Sequence, residues 1–241
     1  MKPISRRALI TSGLAAAGVA GLAAADRIGR RHGLIPPDCR GVYGPGETLT
    51  YAAHRLLTRD AMAREFPRSM ISKTPFANEV APPSAEFKKL QAAGFGDWRL
   101  TIDGMVAHPM TLSLADLRSM PTHSQITEVV CEEGWSYVAE WIGTPLSGVL
   151  REAGVLPQAR YLKYFSIQPD WSDSIDIADA HHPQTFLTMG MNDGELPVGF
   201  GGPLRLRVPR QLGYKSVKYI TRITAIDSLK YQGDYAWFAG I

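Results

Sequence analysis

The sequence is poor in cysteine and lacks the common cofactor and metal motifs. Its two cysteines, Cys39 and Cys131, form no CxxC pair, no CxxCH haem-attachment site and no Cys/His cluster with zinc spacing. HExxH, GxGxxG and Walker-type sequences are missing, and no segment repeats. These absences argue against a structural zinc site, a covalently attached haem and the usual nucleotide-binding motifs.

The chain also has little net charge. Charged residues make up 20% of its 241 residues, hydrophobic residues make up 45%, and the formal charge is +3. This composition is typical of a globular protein and excludes a disordered one. Residues 1–25 carry three basic residues and no acid, so the rest of the chain is formally neutral. We therefore expect no nucleic-acid partner, and the length suits one well-buried domain.

The N-terminus has the pattern of an export signal. Arg6 and Arg7 directly precede an uncharged run from Ala8 to Ala25, which ends in small residues suited to cleavage. The paired arginines resemble the twin-arginine motif, which implies export of a folded protein after its cofactor has been inserted. We expect a signal peptide over residues 1–25 and a periplasmic location. A retained membrane anchor is the alternative, although the run is slightly shorter than the ~20 residues that span a bilayer.

An exported chain with two cysteines also invites a disulfide interpretation. A single cross-link is not required for the stability of a chain of this size. The flanks also differ, because Cys39 follows Pro-Pro-Asp whereas Cys131 ends a β-branched, strand-like stretch. A disulfide between them is therefore the less favoured interpretation.

Beyond residue 25, short strands outnumber helices in the pattern. Residues 26–75 are rich in Arg, Pro and Gly and are expected to form an arm with a helix near Tyr51 to Phe66. A domain over residues 76–241 follows. Strands are expected at 98–103, 125–131, 161–168, 204–208 and 217–226, and helices at 84–93, after Ser113 and at 144–153. This pattern predicts a single β-rich α+β domain of mixed sheets with short helices.

Two local patterns are specific. Thr144 is expected to cap the helix that follows it, with Pro145 in the first turn and Gly154 at the end. In the strand at 204–208, apolar residues alternate with Arg205 and Arg207, so both arginines leave the same face.

Four segments in order carry a resemblance to a known family. The stretch Cys131-Glu-Glu-Gly-Trp-Ser, followed by Trp-x-Gly-x-Pro-Leu, resembles the metal-ligand segment of the sulfite-oxidase family of molybdenum enzymes. Residues 98–117 resemble the leading hairpin of that family, residues 182–191 its central segment, and residues 202–218 its cofactor-binding end. The match extends from about Asn78 to Ile226.

The resemblance implies a molybdenum–molybdopterin cofactor with Cys131 as the protein ligand to the metal. A thiolate suits such a soft, high-valent site, and metal binding itself ionises the thiol. Without the flanking motifs, a small buried hydrophobic side chain would be the simpler interpretation of Cys131. With the flanking motifs, a metal ligand becomes the favoured interpretation of Cys131.

Further residues fall on positions that the resemblance assigns to the pterin. Arg205 can give a phosphate a planar, bidentate guanidinium, and Lys215 and Lys218 can supply point charges. A solvated basic face is the alternative for these cations, and a structural role is the alternative for His182. The expected cofactor-binding set is Asn78, Ser166, His182, Arg205, Lys215, Ser216 and Lys218.

The sequence departs from the family pattern at Phe200, where members often have Asn or His. One polar contact to the pterin is therefore missing or is supplied elsewhere. Glu132 and Glu133 adjoin the expected ligand and are candidates for proton transfer, although acids at such positions are more often simply solvated.

The chain is most similar to the short, exported bacterial branch of the family, which includes methionine-sulfoxide reductase catalytic subunits that work with a haem-bearing membrane subunit. The resemblance implies a monomeric oxidoreductase that moves an oxygen atom to or from a small, possibly sulfur-containing substrate and exchanges electrons with a separate carrier. A sulfite dehydrogenase is a second interpretation and would need arginines grouped around the metal. A non-catalytic binding protein on the same fold is a third.

Overall fold

A computed structural model of the chain describes residues 21, 23–25, 27–29, 34, 45–78 and 83–229. Most of the predicted signal peptide, and Cys39, lie outside these residues. Within them, no helix combines the length and the apolar character that a membrane span requires. The chain divides into two compact units, Met1–Ala61 and Met62–Ile241.

The first unit contains helix α1 (Pro45–Thr58), which begins and ends earlier than the sequence predicted. Proline is compatible with the first turn of a helix, because its missing N–H would have no partner there. The predicted continuation to Phe66 is wrong. In the second unit, Glu65 pairs with Thr127 as an antiparallel bridge, and the Phe66 N–H donates to the Ile126 carbonyl. This segment is therefore extended along a strand.

The second unit is built on two sheets. The first sheet consists of β1 (Arg99–Gly104), β2 (Met110–Ser113), β5 (Tyr161–Ser166), β6 (Ser172–Asp176) and β10 (Ile220–Ile226). Its order is β2-β1-β10-β5-β6, with β1 and β10 parallel and the other neighbours antiparallel.

The second sheet is antiparallel. It consists of β3 (His123–Val130), β4 (Ser136–Pro145), β7 (Phe186–Met191), β8 (Gly194–Glu195) and β9 (Arg205–Arg207). Its order is β3-β4-β7-β8, and β9 also pairs with β7. The second unit thus confirms the predicted β-rich α+β domain of mixed sheets.

Among the described residues of the second unit, four short α-helices accompany these sheets: α2 (Ala85–Ala92), α3 (Leu114–Ser119), α4 (Leu146–Ala153) and α5 (Ile177–Ala180). The predicted cap of α3 is confirmed, because Ser113 and Asp116 form a reciprocal capping box. The predicted cap of α4 is wrong. Pro145 occupies the cap position, since β4 extends to that residue, and the Thr144 hydroxyl instead donates to the Leu117 carbonyl at 2.9 Å.

The main hydrophobic core takes side chains from both sheets and from α2, α3 and α4. Leu100 and Ile223 enter it from the first sheet, Leu187 and Leu206 from the second, and Trp98 lies beside them. Burying each such side chain stabilises the fold by about 1.5–3 kcal/mol. A smaller cluster around Val129, Tyr137, Trp141 and Met191 belongs to the second sheet. The two sheets therefore share one core, and the loops at their ends are held by it.

Close strand approach at Gly143 generates a stability prediction. A Cβ placed there would lie 2.1 Å from the Leu187 carbonyl oxygen, at the point where the β4–β7 register shifts. We expect Gly143→Ala to lower the free energy of unfolding by about 1–3 kcal/mol, because the strands must separate to admit the methyl group. Urea unfolding of the purified protein measures this change.

Gly148 in α4 is the matched control, because a Cβ there meets only the end of a flexible arginine at 4.0 Å. Gly148→Ala should leave stability unchanged or raise it by up to ~1 kcal/mol, through better helix propensity. Equal destabilisation by the two substitutions would contradict the close-approach explanation.

Candidate active site

A cavity of about 770 Å³ opens in the second unit, and three segments supply most of its lining. They are the β3–β4 loop at 131–135, the β5–β6 loop with its flanks at 165–173, and the segment 213–218 between β9 and β10. The first loop belongs to the second sheet and the second loop to the first sheet. The cavity therefore lies where loops from the two sheets meet.

Cys131 is the first residue after β3, in a tight hairpin loop. The Cys131 N–H donates to the Trp135 carbonyl at 2.9 Å, and the Gly134 N–H donates to the Cys131 carbonyl at 3.1 Å. Gly134 has φ +90°, a conformation that other residues adopt only with strain. These bonds fix the Cys131 thiol at the cavity, where the residue is 8% exposed.

Burial raises the pKa of the Cys131 thiol to about 11, and the adjoining carboxylates of Glu132 and Glu133 act in the same direction. The Sγ atom lies 3.4 Å from Glu132 Oε2 and 3.7 Å from Glu133 Oε2, so both carboxylates are within reach of its single S–H donor. Trp135 Nε1 also donates to Glu133, at 2.7 Å. A metal bound here would supply the positive charge that ionises the thiol.

Cationic groups occupy another part of the wall. The buried Arg205 guanidinium donates from Nε to the Ser216 carbonyl at 2.9 Å and from Nη1 to the Phe200 carbonyl at 3.0 Å. Lys218 Nζ donates to Asn78 Oδ1 at 3.2 Å. All of these residues except Phe200 line the cavity. A buried guanidinium, an ammonium, a hydroxyl and an amide form a donor set suited to a phosphate and to the polar edges of a heterocycle.

The structure brings together most of the residues that the sequence singled out. The predicted site residues that line the cavity are Asn78, Cys131, Ser166, Arg205, Ser216 and Lys218.

Two predicted residues lie elsewhere. Lys215 is 2% exposed, and its Nζ donates to Asp173 Oδ1 and to the Ser174 carbonyl, each at 2.8 Å. This buried ion pair ties the segment 213–218 to β6. His182 is 5% exposed and follows α5, where its Nδ1 accepts from the Gln184 N–H at 3.3 Å. Neither side chain lines the cavity, so any effect on a cofactor would be indirect.

Phe200 also has a clear role. Its ring packs edge-on against Tyr137 with centroids 5.6 Å apart, while its carbonyl accepts from Arg205. The side chain thus joins the smaller hydrophobic cluster, and the main chain at this position orients the guanidinium.

Sequence reasoning missed Trp171, Asp173 and Tyr214, which line the cavity. Burial raises the pKa of Asp173, although Lys215 opposes the shift. Burial, with help from Asp173 and Glu132, raises the pKa of Tyr214 to about 12. The first two residues gave no usable signal because β6 was not predicted. Tyr214 stood within the cofactor-end segment already identified, next to Gly213, and could have been found there.

The sequence is similar to those of several bacterial proteins. A protein of Azospira oryzae named as a protein-methionine-sulfoxide reductase subunit, YedZ1, is 36% identical over 191 residues, which cover 77% of this chain and 70% of the relative. The protein-methionine-sulfoxide reductase catalytic subunit MsrP of Xanthomonas axonopodis pv. citri is 30% identical over 230 residues, covering 89% of this chain and 67% of the relative. MsrP of Ralstonia nicotianae is 34% identical over 145 residues, which cover 54% of this chain and 44% of the relative.

A solved structure is also similar to this chain. The sulfane dehydrogenase SoxCD of Paracoccus pantotrophus matches with a TM-score of 0.53 and 26% identity, over 55% of this chain and 39% of that one. The sequence profile described as "oxidoreductase molybdopterin binding domain" matches residues 87–233, which include Cys131, Arg205 and Lys218. The chain therefore belongs to the oxidoreductase family that is defined by this molybdopterin-binding domain.

Proposed function

We propose that this chain is the exported catalytic subunit of a sulfoxide reductase, in which a molybdenum–molybdopterin cofactor removes oxygen from a neutral, sulfur-containing substrate. The observation that carries the proposal is the charge of the cavity beside Cys131. Relatives named as protein-methionine-sulfoxide reductase subunits support the same chemistry.

The residues that would hold the cofactor are those of the cavity wall. Cys131 would bind the metal through its thiolate, while Arg205 and Lys218 would bind the phosphate of the pterin. Asn78, Ser166 and Ser216 add hydrogen-bonding groups to the same wall. When bound, the cofactor supplies two-electron oxygen-atom transfer, and the protein positions it and tunes its potential.

The charge of the remaining wall selects the substrate. Glu132, Glu133 and Asp170 line the cavity, and the first two flank Sγ. Asp173 also lines it, with its charge balanced by Lys215. Among the described residues of the lining, Arg205 is the only arginine, and it would be occupied, together with Lys218, by the phosphate of the cofactor. A sulfite dianion would be repelled here. A neutral sulfoxide would not, so the geometry does not favour a sulfite dehydrogenase.

Aromatic rings supply the apolar part of such a site. Trp135 and Trp171 both line the cavity, and Trp171 is 38% exposed. The rings of aromatic residues make favourable contacts with sulfur and with alkyl groups. A sulfoxide with an apolar side chain therefore fits the lining better than an anion does.

The reaction balances with two electrons and two protons. The sulfur–oxygen bond breaks, sulfur is reduced to the sulfide, and the oxygen leaves as water after taking up both protons. A separate redox carrier delivers the electrons, consistent with the lack of a CxxCH haem site in the sequence. We propose a haem-containing membrane subunit for this role.

Molybdenum content tests the cofactor assignment. We expect near-stoichiometric molybdenum and a releasable pterin in the native protein, measured by elemental mass spectrometry and pterin fluorescence.

Cys131→Ser should abolish sulfoxide reduction because the metal loses its thiolate. Cys39→Ser, the matched control, should keep it. Equal activity of the wild type and Cys131→Ser would refute the ligand assignment.

Substrate charge gives a second test. With a reduced dye as electron donor, the holoenzyme should reduce methionine sulfoxide, free and in peptides, and with an oxidised dye it should barely oxidise sulfite. We expect kcat/KM to differ by about 100-fold, because unit charges ~5 Å apart repel by about 3 kcal/mol at an effective dielectric constant of ~20. Comparable values for sulfite would overturn the proposal in favour of a sulfite dehydrogenase.

Export is tested by replacing both signal arginines. Arg6→Lys combined with Arg7→Lys should leave the protein in the cytoplasm, because the paired arginines are read directly by the export machinery. Fractionation of cells that express the full chain measures the location. Undiminished periplasmic protein from the double variant would count against the twin-arginine route.

A further inference from the structure

Two arginines stand side by side on β9. Arg205 and Arg207 leave the same face of the strand, and their guanidinium carbons lie 5.4 Å and 5.2 Å from the centre of the Trp141 ring. Arg205 lines the cavity, whereas Arg207 lies behind the wall and is 0% exposed.

All the hydrogen-bond partners of Arg207 are neutral. Nη1 donates to Ser216 Oγ at 3.1 Å, and Nη2 donates to Thr127 Oγ1 at 3.4 Å and to the Glu128 carbonyl. Nε is buried and has no partner. Across residues 45–78 and 83–229, no carboxylate forms an ion pair with Arg205 or Arg207.

A buried cation without a counter-ion is costly to the fold. Burial, reinforced by the charge of Arg205, lowers the pKa of Arg207 to about 9. The Trp141 ring and the neutral acceptors offset only part of this cost. The protein therefore holds two adjacent positive charges that its own described residues do not neutralise.

The contacts of Arg207 join the two halves of the cavity. On one side they reach Thr127 and Glu128, near the end of the strand that leads to Cys131. On the other side they reach Ser216, whose hydroxyl also accepts from the Val208 N–H at 3.0 Å and whose carbonyl accepts from Arg205. The Arg207 side chain thus links β3, the strand that leads to Cys131, with Ser216 in the segment that also carries Lys218.

We propose that Arg207 is a positioning residue whose counter-ion is the anionic cofactor. It fixes Ser216 and the β3 strand relative to each other, and its charge is balanced when the phosphate and the metal-bound pterin occupy the cavity. The inference depends on the cofactor class of the family and not on the sulfoxide substrate.

The test compares loaded and cofactor-free protein. Wild type, Arg207→Met and Arg207→Lys are produced in a host that makes the molybdenum cofactor and in one that cannot. Thermal unfolding is measured for both forms, and the rate of pterin release is followed by fluorescence on the loaded form. Thr127→Val is the matched control, because it removes one partner of Arg207 and keeps the charge.

We expect loading to raise the Tm of the wild type. Arg207→Met should lose most of that increase and release the pterin about 10- to 100-fold faster. Losses of this size are typical when a residue that orients metal ligands, without binding the metal itself, is replaced. Arg207→Lys should release it more slowly than Arg207→Met, and Thr127→Val should stay near the wild-type rate.

Two outcomes would overturn the proposal. If Arg207→Met lowers the Tm of both forms equally and leaves the release rate unchanged, Arg207 is only a core residue of the fold. If Arg207→Lys and Arg207→Met release the pterin equally fast, the charge has no role. Should Arg207→Met not accumulate, Arg207→Gln provides the same comparison. Failure to reduce sulfoxides would leave these measurements unaffected.

Discussion

The hydrogen bond from the Cys131 N–H to the Trp135 carbonyl sets the position of the thiol. It closes the loop between β3 and β4, whose pairing runs through all eight residues of β3. Because both strands are anchored in buried clusters, the loop has little freedom to move the sulfur. Arg207 then connects the same strand to Ser216, next to the basic groups, so Cys131 and those groups share one rigid support.

Charge is divided across the cavity. The basic groups belong to the segment around β9 and 213–218, whereas the acidic groups come from the Cys131 loop and the β5–β6 hairpin. An anionic cofactor and a neutral substrate can occupy such a site together, each against the wall that suits it. Burial is the main reason that the pKa values of Cys131 and Tyr214 are raised, and nearby carboxylates add to both shifts.

Much of the fold could be predicted from local patterns. The alternation in β1 and the capping box of Ser113 and Asp116 are local signals, and the structure has both. Strand β4 was missed because residues 137–145 are largely buried on both faces, and a strand of this kind shows no alternation. The cap predicted at Thr144 failed for the same reason, because an unrecognised strand occupied that position.

Most of the predicted residues that line the cavity lie in the motif segments, and Asn78 and Ser166 lie outside them. Cys131, Arg205 and Lys218 lie in motif segments and line the cavity, but Lys215 lies in the same segment and points elsewhere. Lys215 ends a single turn of 3₁₀-helix, Gly213–Lys215, and its side chain donates to Asp173 on β6. Spacing along the chain cannot reveal that partner, because it belongs to a strand 42 residues away.

The walls of the cavity come from different sheets, and this has a consequence for evolution of the site. The Cys131 loop and the β5–β6 hairpin belong to different sheets, and both sheets pack on the shared core, so the volume of that core contributes to the gap between them. Exchanging Leu187 or Ile223 for a larger or smaller residue would widen or narrow that gap without touching the lining. Substitutions in the shared core are therefore one route by which the width of the cavity can change while its lining residues stay the same.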